Sequence, residues 1–149
     1  MTTRPAGDGD RAAIVDCFLR AMRESLTARY GRWDEARERA RFEDALDLDR
    51  TTIVEAGGAD VGFVMIAEAP HLLQIHTIAL LPEHQGRGIG SEVVRDLVAI
   101  GRQTGRDVVL SVLKTNPRAE RCYARLGFVP VDESGSHRHM RFASAGSLR

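Results

Sequence analysis

The stretch Gln85-Gly86-Arg87-Gly88-Ile89-Gly90-Ser91 has the composition of an anion cradle. Glycine lets phosphate oxygens approach the backbone where a β-carbon would stand in the way. At the start of a helix the first N–H groups lack intrahelical partners and sit at the positive end of the macrodipole. A pyrophosphate is the natural occupant, and Arg87 can add a charge-assisted contact. Two familiar nucleotide motifs fit poorly. A P-loop needs lysine before its Ser/Thr, and here Gly90 precedes Ser91 directly; the dinucleotide fingerprint needs its third glycine where Ser91 stands. The plain alternative is a glycine-rich turn with packing duties only.

The turn needs a strand before it and a helix after it. Leu72 to Leu81 is a mostly apolar run stopped by Pro82, which reads as a central strand buried on both faces. Ile89 to Thr104 carries Val93, Val94, Leu97, Val98 and Ile100 at helical spacing, and Gly105 suits a left-handed cap. Upstream, Asp8 to Asp10 precede a helix of three to four turns through Ile14, Val15, Phe18, Leu19 and Met22. Asp34 opens a charged helix packing through Ala36, Ala40, Phe42, Ala45 and Leu46. Thr51–Ala56 and Val61–Glu68 form a hairpin about Gly57-Gly58-Ala59-Asp60. Downstream come a strand from Asp107 to Leu113, a short helix from Asn116 to Leu126, and strands Phe128–Val131 and His137–Phe142. No internal repeat, linker or low-complexity tract interrupts them.

At 149 residues, with 43% hydrophobic and 28% charged residues, the chain is expected to form a single domain with one core, residues 1–149. Its 21 basic and 21 acidic residues balance, so no global field favours nucleic acid. Cys17 and Cys122 both fall in helical patterns and fit reduced, buried thiols in a reducing compartment. No apolar run is long enough to span a bilayer and the N-terminus has no signal-peptide core, so a cytoplasmic location is expected. His137 and His139, with His71 and His84, have no Cys, Asp or Glu at zinc spacing, and a solvated strand face accounts for them; no metal is expected.

Leu80-Leu81-Pro82-Glu83-His84 followed by the glycine turn resembles the Gln/Arg-x-x-Gly-x-Gly/Ala signature of the GNAT acyltransferase superfamily. Asn116-Pro117-Arg118-Ala119, Cys122-Tyr123 and Leu126-Gly127-Phe128 resemble its second signature. The order of elements is similar over essentially the whole chain, the N-terminal third in pattern alone. The resemblance implies an α/β (α+β) fold with a mixed, mostly antiparallel sheet of about seven strands flanked by about four helices, in the order β-α-α-β-β-β-α-β-α-β-β. It implies acetyl-CoA (coenzyme A) as cofactor, with its pyrophosphate on residues Gln85, Gly86, Arg87, Gly88, Ile89, Gly90 and Ser91. By the same resemblance, backbone groups of Ile78, Ala79 and Leu80 pair with the pantetheine amides and Asn116 contacts the cofactor arm.

Acyl transfer to nitrogen needs a neutral amine, while an alkylamine with a pKa of about 10.4 is protonated at pH 7; a base or a water relay is therefore expected. His76 is the candidate base, on the strand face it shares by alternation with Gln74, Ile78 and Leu80. Some GNAT members instead use a glutamate on the following strand, where this chain has Ser111, which leaves the base open. Tyr123, by resemblance, is the acid that protonates the departing sulfur; the alternative is a ring packed on Leu126 and Phe128. Glu24, Tyr30 and Trp33 lie where GNAT proteins build the acceptor pocket and would give it an acidic and aromatic wall, although Trp33 equally suits core filling.

The leading expectation is an N-acetyltransferase acting by direct transfer on a primary amine of a small molecule or peptide. Neither nucleic acid nor membrane is a partner, and a homodimer stays open. The alternatives are a catalytically silent acyl-CoA binding or sensing module, and an enzyme using the turn for NAD or ATP.

Overall fold

The computed structural model describes residues 1–144. Its elements run β1 (Thr2–Pro5), α1 (Arg11–Tyr30), α2 (Glu35–Ala45), β2 (Thr51–Ala56), β3 (Ala59–Glu68), β4 (Leu72–Leu80), α3 (Ile89–Thr104), β5 (Asp107–Leu113), α4 (Pro117–Arg125), β6 (Val129–Glu133) and β7 (His137–Phe142). The strands form one seven-stranded sheet in the order β1-β2-β3-β4-β5-β7-β6. Pairing is antiparallel for β1/β2, β2/β3, β5/β7 and β6/β7, and parallel for β4/β5. This is the mixed, mostly antiparallel architecture expected from the sequence. The described residues divide into two compact units, Met1–Met65 with Thr77–Gly90, and Ile66–His76 with residues 91–144.

In the first unit, α1 follows Asp10, whose carboxylate accepts from the Gly7 amide at 2.9 Å and from both Nη atoms of Arg4 at 2.9 Å. Arg4 holds the Asp10 carboxyl down at about 2. The helix runs 20 residues, longer than the three to four turns expected, because nothing stops it before Gly31, whose φ of 78° makes the left-handed cap. Asp34 caps α2 by accepting from the Arg37 amide at 3.1 Å. The packing face of α2 also differs from expectation. Ala36, Ala40 and Ala45 are exposed, while Glu38, Phe42 and Leu46 at i, i+4 and i+8 are buried. The Glu38 carboxylate is compensated by Arg37 at 3.1 Å and Arg41 at 3.9 Å. Phe42 stacks on Phe18 at 4.1 Å within a core of Ile14, Val15, Leu19, Ile53, Phe63 and Met65, among others.

The β2–β3 hairpin turns on Gly57 and Gly58 alone, with φ of 60° and 79°, the two positive values a tight type I′ turn requires; β3 consequently starts at Ala59, earlier than expected. Further along β3, Gly62 allows a close approach to β4. A β-carbon there would overlap the Ala79 carbonyl oxygen and lie 2.6 Å from Leu80 Cδ2.

In the second unit, α3 buries Val93, Val94, Leu97, Val98 and Gly101. Ile100, expected in that face, is exposed, since it falls outside the i, i+4 stripe that meets the sheet. A β-carbon on Gly101 would meet the Arg106 carbonyl oxygen at 2.8 Å and Val108 Cγ2 at 2.9 Å, so α3 lies directly against the chain entering β5. Gly105, with φ of 68°, ends α3 as expected. Buried Asp107 accepts from Arg141 Nε at 2.5 Å and from the Ser144 amide at 2.8 Å, tying β5 to the end of β7. Strand β4 is not buried on both faces as its apolar run suggested: Gln74 and His76 are exposed while Leu73 and Ile75 are buried. Cys122 is half-buried rather than buried.

Gly62→Ala should destabilise the protein by about 1–3 kcal/mol, because the added methyl meets the Ala79 backbone carbonyl, which cannot swing aside, as well as the Leu80 side chain. The urea midpoint reads it, and an unchanged midpoint would contradict the close packing of β3 on Ala79 and Leu80.

Candidate active site

The glycine turn completes the first unit. β4 ends at Leu80, a 3-10 turn over Pro82–His84 follows, and Gln85 returns its side chain to the strand end, Nε2 donating to the Leu80 carbonyl at 3.0 Å. Gln85 therefore braces the loop. Gly86 and Gly88 hold φ of 77° and 82°, the left-handed region closed to most side chains, so both glycines are conformational requirements. Residues 85–88 are exposed, and α3 begins at Ile89. The first four amides of that 16-residue helix lack intrahelical acceptors. A β-carbon on Gly90 would lie 3.6 Å from Leu80 Cδ1, an ordinary contact, so packing beside the strand does not itself demand glycine there.

Ile78 is half-buried, and Ala79 and Leu80 are buried. The Ala79 carbonyl meets Cys17 Sγ at 3.8 Å, and the Leu80 carbonyl holds Gln85. Each carbonyl has a second lone pair for another donor. Burial pushes the Cys17 thiol up to about 12.

The remaining predicted residues of the first unit lie along α1 and just beyond it. Glu24 is exposed. Tyr30 is surrounded by guanidinium groups, with Cζ of Arg37, Arg29 and Arg41 at 4.0, 4.9 and 5.9 Å from its ring. Arg41 Nη1 donates to the Tyr30 hydroxyl at 3.0 Å and lowers the phenol's pKa. The charge immediately around the aromatic ring is thus basic. Trp33 packs against the core cluster, with Arg23 Cζ 5.5 Å from its ring.

The second unit holds the rest. Ser91 Oγ lies 3.3 Å from Cys122 Sγ, joining the first turn of α3 to α4. Asn116 caps α4, its Oδ1 accepting from the Ala119 amide at 3.3 Å, with Pro117 at the first helical position. The cap uses the carbonyl oxygen of the Asn116 side chain and not its NH₂. Tyr123 is half-buried, its ring centroid 6.1 Å from that of Phe128, and burial pushes its phenol up to about 12. His76 is exposed on β4.

A contact not foreseen joins Ser111 Oγ to His139 Nδ1 at 2.6 Å across the β5–β7 pair. Alternation put each residue on a strand face, but only the register of two strands far apart in sequence makes them opposite neighbours. His137 Nδ1 is bonded to Ser136 Oγ at 2.7 Å. Among the described residues no group of three or more His, Cys, Asp or Glu side chains is arranged to hold a metal ion, and no helix is long and apolar enough to cross a membrane.

The acetyltransferase (GNAT) family matches residues 19–128. An uncharacterized N-acetyltransferase of Archaeoglobus fulgidus is 28% identical over 91% of this chain and 98% of its own length. The N-alpha-acetyltransferase RimI of Mycobacterium tuberculosis is 33% identical over 63% of this chain and 61% of its own. Among solved structures, an N-acetyltransferase from Staphylococcus aureus superposes with a TM-score of 0.73 at 13% identity, covering 95% of this chain and 100% of that one. The PaiA N-acetyltransferase of Thermoplasma acidophilum, solved in complex with coenzyme A, gives 0.68 at 20% identity, covering 95% and 98%.

The two free cysteines should differ in reactivity. A thiol-specific disulfide reagent at pH 8 is expected to modify Cys122 in the native protein and to reach Cys17 only after denaturation, because Cys17 is buried and its thiol stays protonated. Peptide mapping that found native labelling on Cys17 would contradict this.

Proposed function

Because the chain belongs to the GNAT acetyltransferase family over residues 19–128, we propose that it moves an acetyl group from acetyl-CoA directly to a primary amine of a small molecule or peptide. The observation that carries the reading is the pair of left-handed glycines, Gly86 and Gly88, leading into the open amides of α3. In this reading residues 85–91 hold the diphosphate, with Arg87 adding charge and Gln85 bracing the loop through Leu80. Backbone groups of Ile78, Ala79 and Leu80 take the pantetheine, and Asn116 offers its NH₂ to the same arm. The relatives' names, N-acetyltransferase and N-alpha-acetyltransferase, support an amine as acceptor. Glu24, Tyr30 and Trp33 are assigned to its pocket, where Trp33 braces the wall from the core side. A cytoplasmic enzyme acting as a single domain belongs to the same proposal.

The chemistry has three parts. His76 takes a proton from the ammonium, which gives the nitrogen the lone pair it needs. The amine attacks the thioester carbon, the tetrahedral adduct collapses, and the carbon–sulfur bond breaks. Tyr123 gives its proton to the sulfur, and the proton that the attacking nitrogen sheds as the amide forms passes through water to return the phenolate to the phenol. Burial suits it to that role, since a phenol whose pKa is raised to about 12 keeps its proton throughout the neutral range.

Incubation with acetyl-CoA and an amine panel, read as free thiol release, tests the proposal; tight CoA binding without turnover of any amine would favour a silent acyl-CoA module instead. Tyr123→Phe should slow turnover by about 100-fold with CoA affinity unchanged, and full turnover would remove its acid role. The sign of the pH effect follows from the raised pKa. The acid form is lost only as pH approaches about 12, so no alkaline decline in rate should come from Tyr123 near pH 10. A decline there that Tyr123→Phe abolishes would contradict the assignment.

A further inference from the structure

Four strands of the second unit carry a row of polar side chains. The parallel register of β4 and β5 runs to Ile75 opposite Leu110, both buried. One residue further along, each strand presents an exposed side chain, His76 and Ser111. Paired strands lie about 4.8 Å apart, and His76 and Ser111 follow directly on the last paired residues and rise from one face. On the far side of Ser111, β7 sets His139 opposite it with the 2.6 Å contact, and β6 sets Asp132 opposite His139. Ser111 is also the one exposed residue of β5, whose other positions are buried or half-buried. A strand that is otherwise core thus keeps a hydroxyl beside an imidazole. The other charged or titratable side chains of this face on β7 are His137, bonded to Ser136, and Arg141, held by buried Asp107.

Resting on the reading in which His76 takes the amine's proton, we propose that Ser111 and His139 carry that proton onward, so that the three side chains work as one relay. One ring nitrogen of neutral His76 accepts the ammonium proton while the N–H of its other nitrogen passes its proton to Ser111 Oγ. The hydrogen already on Ser111 moves to Nδ1 of neutral His139. The ammonium N–H bond breaks, and its electron pair stays on the nitrogen as the nucleophile. His76 and Ser111 remain neutral, and the positive charge ends on the His139 imidazolium, which gives a proton to water from Nε2. Exchange with solvent restores the starting tautomers. Ser111 and His139 act through His76 and are positioning residues; His76 alone meets the acceptor.

The test uses thiol release with two acceptors, an alkylamine that is protonated at pH 7.5 and trifluoroethylamine, which is neutral there. With the alkylamine, His76→Gln, Ser111→Ala and His139→Gln should each lose about 100-fold in kcat/KM. The His76→Gln/His139→Gln double variant should lose no more than either single one, as residues acting as a unit do. Ser111→Thr, which keeps the hydroxyl, should recover most of the rate. With the neutral amine every variant should run close to wild type, an outcome that damage to the fold would not give; melting temperatures report on folding directly. The relay is overturned if His139→Gln keeps the full rate with the alkylamine, if losses multiply in the double variant, or if both amines suffer equally. Wild-type protein that turns over neither amine would overturn the acetyl-transfer reading itself, and the relay with it.

Discussion

A diphosphate can be held by backbone amides only where several of their hydrogens converge and no side chain stands between them and the oxygens. In the proposed reading that requirement falls on the turn between β4 and α3. Gly86 and Gly88 adopt backbone angles that a residue with a β-carbon rarely takes, and the helix that follows supplies amides with no intrahelical acceptor. The loop is not loose for being glycine-rich. Gln85 bonds back to Leu80. On the helix side, the buried stripe of Val93, Val94, Leu97 and Val98 fixes the direction in which the first turn of α3 presents its amides.

The groups assigned to proton transfer occupy contrasting surroundings within the second unit. Tyr123 is set among apolar neighbours, where desolvation opposes the phenolate and keeps an acid in its protonated form. His76, Ser111 and His139 stand on the open side of their strands, where a proton can be exchanged with water. Environment thus sets the proposed acid apart from the proposed base without any strong field, in keeping with a chain whose formal net charge is zero. Local charge is less even. Three guanidinium groups gather around the exposed Tyr30, and the buried carboxylate of Glu38 stands close to two of them.

What could be read from the sequence was what local chemistry decides. The glycine turn, the extent of α3 with Gly105 behind it, and the short helix that follows Asn116 are each specified within a few residues, and each stands where the spacing put it. Long α1 was under-read because its middle turns carry few apolar residues, although nothing before Gly31 can stop a helix. On α2 the alanines looked like a packing face, yet Phe42 and Leu46 decided the orientation and drew Glu38 into the core with them. Gln74 and His76 already signalled that one face of β4 stays open, a signal overridden by the length of the apolar run. The Ser111–His139 contact and the Asp107–Arg141 pair had no local signature at all, since both depend on the register of β5 against β7.

The central claim is that the amides of the glycine turn bind the diphosphate of coenzyme A, and backbone resonances follow it directly. Titration of isotopically labelled protein with CoA, and separately with pantetheine, which lacks the diphosphate, should shift the amides of Gly86, Gly88, Gly90 and Ser91 with the first ligand and leave them unmoved with the second. Resonances at those positions that stay in place at saturating CoA, or that respond equally to pantetheine, would contradict the account.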